Sequence, residues 1–159
     1  MNYNNDKEKP TFIAEIQLGR VVKYLRFAGF DTRTLHQASR RELLRLAEEQ
    51  GSVLLTSART GEESHALCIS LPSSDLSKAL KILNERFSLA AHYAPFTRCI
   101  RCNTSLEVLR KPPESLPAFV LEHFREFRCC PSCEKVYWKG SHYRRMETKW
   151  QEVFQESGP

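Results

Sequence analysis

The fold follows from the stretch TFIAEIQLGRVVKYLRFAGFDTRTL, residues 11–35, because its pattern predicts a strand, a helix and a second strand. Thr11–Ala14 is predicted as a short buried strand. In the helix that follows, apolar residues recur at a spacing of three and four. These residues are Leu18, Val21, Val22, Leu25 and Ala28. Gly29 is placed to end the helix in a left-handed conformation, and Thr32–Leu35 is predicted as the next strand.

The following segments repeat the alternation of strand and helix. Ser39 and Glu42 have the spacing of a capping box at the start of a helix, and Gly51 is placed to close that helix. Ser52–Thr56 is predicted as a buried strand and Ala66–Ser70 as a further one. Because helices separate the first three strands, the sequence predicts an α/β fold with a short parallel sheet flanked by helices.

Amphipathic helices flank this predicted sheet. The first helix carries three basic residues on its polar face, Arg20, Lys23 and Arg26. Another helix follows Pro72, with Ser74 or Ser73 as its predicted cap. Its apolar positions are Leu76, Ala79, Leu80, Leu83 and Phe87.

The composition of the chain changes near residue 93, where prolines and cysteine pairs interrupt the periodicity. One short helix is predicted between the cysteine pairs, from Phe119, Val120, His123, Phe124 and Phe127. A closing helix is predicted to turn Met146, Trp150, Val153 and Phe154 inward. We therefore expect a flexible N-terminal tail over residues 1–10, an α/β domain over 11–92, and a four-cysteine module with the closing helix over 93–159.

Composition restricts the class of protein. The apolar fraction of 41% supports a packed core, and no run approaches the roughly 18 apolar residues that a membrane span needs. The polar N-terminus lacks the apolar stretch of a signal peptide, so we expect a cytoplasmic protein with no membrane partner. The net charge of +5 permits binding to nucleic acid without requiring it.

Six cysteines, at positions 68, 99, 102, 129, 130 and 133, predict a metal site. Two C-x-x-C turns can supply four thiolates to one zinc ion, through Cys99, Cys102, Cys130 and Cys133. Such a closed set leaves no position for water or substrate, so the zinc would be structural. The alternative is a set of buried or redox-active thiols. Cys129 competes with Cys130 as a ligand, although the C-P-S-C spacing favours Cys130, and Cys68 is predicted to lie in the core.

Aromatic and basic residues follow the second cysteine pair. They are Tyr137, Trp138, Lys139, His142, Tyr143, Arg144 and Arg145. Rings beside guanidinium groups can bind single-stranded RNA without a sequence code, and Arg98 and Arg101 extend the same surface. The alternative is that Tyr137 and Trp138 pack inside the small module and that the charges are ordinary surface charges.

Four segments carry a resemblance to a known family. The segments FIAEIQLGRVVKYLRFAGFDT, RRELLRLAEEQGSVLLT, FTRCIRCNTSLE and FRCCPSCEKVYWKGSHYRRM resemble, in this order, the mut-seven C-terminal ribonuclease domain family. The resemblance covers roughly residues 12–150. It implies a PIN-like nuclease domain followed by a zinc ribbon, and RNA cleavage by Mg²⁺ or Mn²⁺ held by acidic side chains.

This sequence departs from the family at the acidic positions. Glu15 stands where the family has aspartate, Arg40 or Arg41 replaces the acid that opens the second helix, and Ala58 replaces the acid after the LLT strand. Glu15 and Asp31 are the remaining catalytic candidates, and Glu62 is a further one. Glu42, Glu62 and Glu63 also have simpler explanations as a cap and as loop charges. A Glu15 carboxylate at the end of a strand is expected to pair with Arg41 or Arg20.

Three functions are compatible with these residues. The sequence favours RNA binding with weakened or lost cleavage, through Arg20, Arg40, Arg41, Arg98, Arg101, Tyr143, Arg144 and Arg145. The second is an active endoribonuclease in which Glu15 and either Asp31 or Glu62 hold Mg²⁺ or Mn²⁺. The third is a zinc-stabilised module that binds a protein or ribonucleoprotein partner. The oligomeric state is left open.

Overall fold

The computed structural model describes residues 8–58 and 67–156. Within them lie the strands β1 (Phe12–Ala14), β2 (Thr32–Thr34), β3 (Val53–Thr56), β4 (Cys68–Ser70), β5 (Glu107–Val108), β6 (Phe127–Cys129) and β7 (Val136–Trp138). The α-helices are α1 (Gly19–Phe27), α2 (Arg40–Gln50), α3 (Leu76–Phe87), α4 (Ala118–His123) and α5 (Ser141–Glu156). Single 3₁₀ turns occupy Ile16–Leu18 and Leu89–His92.

The first four strands form the parallel sheet that the sequence predicts. Their order is β2-β1-β3-β4, and every neighbouring pair is parallel, with Phe12 opposite both Thr32 and Val53. Alternate residues of β1 point to opposite faces. Phe12 packs against α1 and α3, whereas Ile13 packs against α2. The α/β architecture is confirmed.

Local sequence signals set the ends of the helices. Gly29 has φ +88°, and a Cβ there would collide with the Ala94 carbonyl, so the chain needs glycine at this turn. Ser39 and Glu42 form the predicted capping box at α2. The cap of α3 differs from the prediction, because Asp75, not Ser73 or Ser74, accepts a hydrogen bond from the Lys78 amide, at 3.0 Å.

Helix α5 packs in the core of the parallel sheet. Trp150 is fully buried in the same apolar cluster as Phe12 and Leu80, and its indole N–H donates to the Tyr24 carbonyl at 3.0 Å. The predicted boundary after residue 92 follows the change in composition, but the closing helix belongs by packing to the α/β part of the chain. Met146, Trp150 and Val153 of α5 thus share one apolar cluster with the residues of β1, α1 and α3.

The three remaining strands form an antiparallel sheet in the order β5-β6-β7. Helix α4 ends at His123, so Phe127 lies in β6 and not in the predicted helix. Leu106 packs against the buried Cys99 and Cys130 in a small core of its own. Throughout the described residues, no helix has both the length and the apolar character needed to cross a membrane.

Candidate metal centre and nucleic-acid interface

Four cysteine sulfurs converge beside the antiparallel sheet. The Sγ atoms of Cys99, Cys102, Cys130 and Cys133 all lie within 4.8 Å of one another. The Cys99 and Cys133 sulfurs are 3.8 Å apart, which is about the edge of a tetrahedron with metal–sulfur bonds of about 2.3 Å. The four side chains can therefore hold one metal ion such as zinc without a large rearrangement.

Two matching turns build this cluster. The amide of Asn103 donates to the Cys99 carbonyl at 2.9 Å, and the amide of Glu134 donates to the Cys130 carbonyl at 2.8 Å. Both residues have positive φ, +67° for Asn103 and +58° for Glu134. Cys129 lies outside the cluster, and its thiol contacts the Cys130 carbonyl at 3.7 Å. Cys130, and not Cys129, joins the cluster.

Hydrogen bonds to the Cys99 sulfur favour the thiolate form that a metal requires, whereas the pKa values of Cys102 and Cys130 are raised in the free cluster. The Tyr137 hydroxyl lies 3.0 Å from the Cys99 sulfur. Burial raises the pKa of the Cys99 thiol, but hydrogen bonds from Tyr137 and from the Cys102 amide help to hold it at about 7, below its ordinary value of 9.0. Tyr137 therefore supports the cysteine site, as expected for a ring packed in the small module.

Arg26 joins the first cysteine turn to the parallel sheet. Its side chain is buried, and its Nε donates to the Thr32 carbonyl at 2.9 Å. Its Nη1 donates to the carbonyls of Arg101 at 2.8 Å and of Ile100 at 3.3 Å. The prediction that Arg26 lies on the solvent face of α1 is wrong. The sequence does indicate the buried position, because Arg26 follows Val22 by four residues and so lies on the apolar face of α1.

Asp31 belongs to the same junction. Its Oδ1 accepts a hydrogen bond from the Asn103 side chain at 2.7 Å, and its Oδ2 lies 3.8 Å from Arg98 Nη1. The Asn103 side chain also accepts from the Thr32 amide at 3.0 Å. Arg98 and Asp31 thus form an ion pair at the junction, where both side chains are partly exposed. Arg98 also donates a hydrogen bond to the Asn103 carbonyl, so it braces the first cysteine turn.

Glu15 lies at the other edge of the sheet. Its carboxylate accepts hydrogen bonds from the Thr56 hydroxyl at 2.8 Å and from the Ser57 amide at 2.9 Å. The expected ion pair with Arg41 or Arg20 is absent from the described part of the chain. Glu15 follows the end of β1, whereas Asp31 precedes the start of the parallel β2. Since these are opposite edges, the two carboxylates cannot share one metal ion.

Within residues 8–58 and 67–156, the four cysteines are the only group of three or more metal-ligating side chains. The remaining acidic candidate, Glu62, lies outside the described residues, as does Glu63. The described residues therefore provide no cluster of carboxylates for Mg²⁺ or Mn²⁺.

A broad groove of about 710 Å³ runs between α1 and the first cysteine turn. We call it the basic groove. Its basic lining residues are Arg20, Lys23, Arg26, His36, Arg101, Lys135 and His142. No acidic side chain lines it among the described residues. Burial, followed by the charges of Arg145, Lys135 and Lys23, lowers the pKa of His142. The groove therefore concentrates positive charge.

The groove brings together only part of the predicted RNA-binding set. Arg20 and Arg101 line it. Arg40, Arg41, Arg144 and Arg145 are exposed and lie outside its lining, and the Arg40 guanidinium is 3.9 Å from the Cys68 sulfur.

Tyr143, another residue of the predicted RNA-binding set, is half-buried and lies outside the groove lining. Its ring packs between Phe27 and Phe96, and its hydroxyl donates to Glu147. The sequence does not predict His36 and Lys135 as groove residues, because only the fold brings them beside α1.

Comparison with known proteins gives one result. The family described as Mut7-C RNAse domain matches residues 10–150. No curated protein and no solved structure matches the chain significantly. The matched residues include both the parallel sheet and the four cysteines. The chain therefore belongs to the Mut7-C RNAse domain family.

Proposed function

We propose that this protein binds RNA through the basic groove and that its metal-dependent cleavage is weakened or lost. The observation that carries the proposal is the groove itself, which gathers cationic side chains from α1, the first cysteine turn and the segment before β7. A groove with one sign of charge raises the local concentration of a polyanion. Because the chain belongs to a ribonuclease family, RNA is the polyanion that we propose as the ligand.

Backbone phosphates are the groups that this groove suits. Arg20, Lys23, Arg101 and Lys135 are exposed, so their donors are accessible to a ligand. Arginine binds phosphate through two parallel hydrogen bonds, whereas lysine acts as a point charge. Contacts of this kind fix the position of a strand and carry no base sequence. Binding is therefore expected to depend on charge and strand flexibility rather than on a sequence code.

The carboxylates argue against efficient cleavage. Metal-dependent hydrolysis needs several carboxylates at one point, so that bound ions can activate water and stabilise the leaving oxygen. Glu15 already accepts hydrogen bonds from Thr56 and Ser57. Asp31 is engaged at the opposite edge of the sheet.

We further propose that the four cysteines hold zinc. The all-sulfur set with two C-x-x-C turns is the usual chemistry of structural zinc, which supplies folding energy and no reaction. Arg101 lies between Cys99 and Cys102, so the turn that zinc would order also presents Arg101 to the groove. Arg26 binds the Arg101 carbonyl at this turn.

The test measures the affinity of the purified protein for a labelled single-stranded RNA while salt is raised. Removing one phosphate-binding side chain should reduce the slope of log affinity against log salt by about 0.7. Arg20→Ala and Arg101→Ala should each weaken binding several-fold and reduce this slope. Arg45→Ala is the matched control, because Arg45 pairs with Glu49 on α2, away from the groove. Equal losses of affinity in all three variants, or no binding at low salt, would contradict the proposal.

Cleavage is measured on the same RNA with Mg²⁺, Mn²⁺ or EDTA. We expect the unmodified protein to give no more metal-dependent cleavage product than a Glu15→Gln variant gives. Metal-dependent cutting that disappears in Glu15→Gln would show that Glu15 is a ligand and would overturn the loss of activity while leaving RNA binding intact.

A further inference from the structure

A second cavity, of about 230 Å³, opens between the antiparallel sheet and the start of α5. We call it the aromatic pocket, because five rings line it. These are Phe27, Phe96, Tyr137, Trp138 and Tyr143. Neither the cysteine site nor the phosphate contacts of the basic groove require such a pocket.

The aromatic pocket adjoins the basic groove. Four residues line both: Ile100, Lys135, His142 and Met146. The ammonium group of Lys135 also lies 5.6 Å from the centre of the Tyr137 ring, within the range of a cation–π contact. A strand whose phosphates lie in the groove therefore passes the mouth of the pocket.

Phe96, at the wall of the pocket, has an unusual backbone conformation. Phe96 has φ +64°, a conformation that bulky side chains rarely adopt. Two cations cover its ring, Arg128 at 5.1 Å and Lys139 at 5.4 Å from the ring centre. Strain of this kind persists where the surrounding structure holds a side chain in a required position.

Size and charge indicate the class of ligand. Pockets for drug-sized molecules have volumes of about 300–1,000 Å³, so 230 Å³ suits a single ring system. The partly exposed rings of Tyr137, Trp138 and Tyr143 supply stacking surfaces for a base. Arg98, Lys135 and His142 supply hydrogen-bond donors for its acceptors. None of the described residues that line the pocket is acidic, which disfavours a basic peptide side chain as the natural occupant.

We infer that the aromatic pocket takes one unstacked base of the RNA strand whose phosphates lie in the basic groove. This inference rests on the proposed function, and it specifies the substrate class as RNA with at least one unpaired nucleotide. Taking a base out of a stack costs free energy, and the cost is smaller in a single strand than in a duplex. Fully paired RNA should therefore bind more weakly than a single strand of equal charge.

The experiment compares short single-stranded RNAs that carry one abasic nucleotide at successive positions. An abasic nucleotide keeps the phosphate and the sugar and removes only the base. Base–aromatic stacking predicts that affinity falls by about 5- to 100-fold at one position of the strand and little elsewhere. Equal binding of base-bearing and abasic strands would overturn the inference, while the proposed binding of phosphates in the basic groove would still stand. If no RNA binds, the proposed function fails together with the inference.

Variants separate the pocket from the groove. Trp138→Ala removes one wall, and Ser141→Leu fills the cavity, so each should abolish the difference between base-bearing and abasic RNA while the slope with salt is kept. Phe119→Ala is the control, because Phe119 is an exposed ring stacked on His123 and lines neither cavity. Metal content and circular dichroism verify the fold of each variant. A base-dependent difference that survives in both pocket variants, with the fold intact, contradicts the inference.

Discussion

At the scale of single residues, the buried guanidinium of Arg26 has three carbonyl acceptors on two parts of the chain. Burial lowers the pKa of Arg26, and the nearby sulfurs of Cys99 and Cys102 oppose that shift. Arg26→Met keeps the length and apolar stem of the side chain but leaves the carbonyls without donors. We expect the free energy of unfolding to fall by about 1.5–3 kcal/mol, measured by urea denaturation.

Lys23→Met is the matched control for Arg26, since it removes an exposed cation from the same helix. Its free energy of unfolding should change by no more than about 0.5 kcal/mol. If both variants lose the same stability, helix α1 is sensitive to charge in general and Arg26 is not a specific link.

His142 predicts how binding depends on pH. Its pKa lies below 6.5 in the free protein because burial and the charges of Arg145, Lys135 and Lys23 disfavour the imidazolium. A bound phosphate favours the imidazolium, so RNA binding raises the pKa and takes up a proton. Affinity should therefore increase as pH falls from about 7.5 towards about 5.5, and the increase should be smaller in His142→Gln.

His123→Gln serves as the comparison for the pH series, because His123 lies outside the groove lining and contacts the Phe119 carbonyl. It should retain the full pH dependence. An affinity that is flat with pH in the unmodified protein would show that His142 does not face a phosphate.

At the scale of elements, the two cysteine turns predict a contrast between adjacent residues. Cys130→Ser removes a sulfur from the cluster, whereas Cys129→Ser removes one that lies outside it. We expect Cys130→Ser to lose bound zinc and most RNA affinity, because the turn that carries Arg101 is no longer held. Cys129→Ser should keep both. Elemental analysis measures the zinc content of each variant. Equal zinc in the two variants would contradict the assignment of Cys130, rather than Cys129, as a ligand.

The elements differ in how far the sequence predicts them. The four strands of the parallel sheet, the capping box at Ser39 and the cluster of four sulfurs follow from short local patterns, and the structure confirms them. The three strands of the antiparallel sheet were not predicted. The positions of Arg26, Asp31 and Tyr143 do not, because each depends on which distant element packs against it. Helix periodicity identifies an apolar face but does not reveal a carbonyl that a buried cation can reach.

The same limit applies to the candidate site. Lys135 and His36 lie far apart in sequence and share the basic groove only through the fold. The predicted strand bounds already place Asp31 before one parallel strand and Glu15 after another, and the register of β1 and β2 agrees. The sequence does not show that the Asp31 side chain binds Asn103, because the fold brings these two residues together.

At the scale of the whole molecule, Trp150 predicts cooperative unfolding. Helix α5 follows the antiparallel sheet directly and buries Trp150 in the core of the parallel sheet. Trp150→Ala should lower the free energy of unfolding by about 3–5 kcal/mol. Because α5 connects the two parts, zinc release and loss of helical signal should occur in one transition at a lower temperature. Two well-separated transitions would instead show that the cysteine module unfolds independently.

The two ends of the parallel strands carry different groups, so residues at one end can be substituted independently of those at the other. Asp31 and Arg26 hold the junction at the edge where β2 begins, while Glu15 and the segment after β3 occupy the edge where β1 and β3 end. Substitutions at the second edge leave the hydrogen bonds of the first untouched. Acidic side chains can therefore be removed from the second edge, or introduced there, without rebuilding the scaffold that presents the proposed RNA-binding groove.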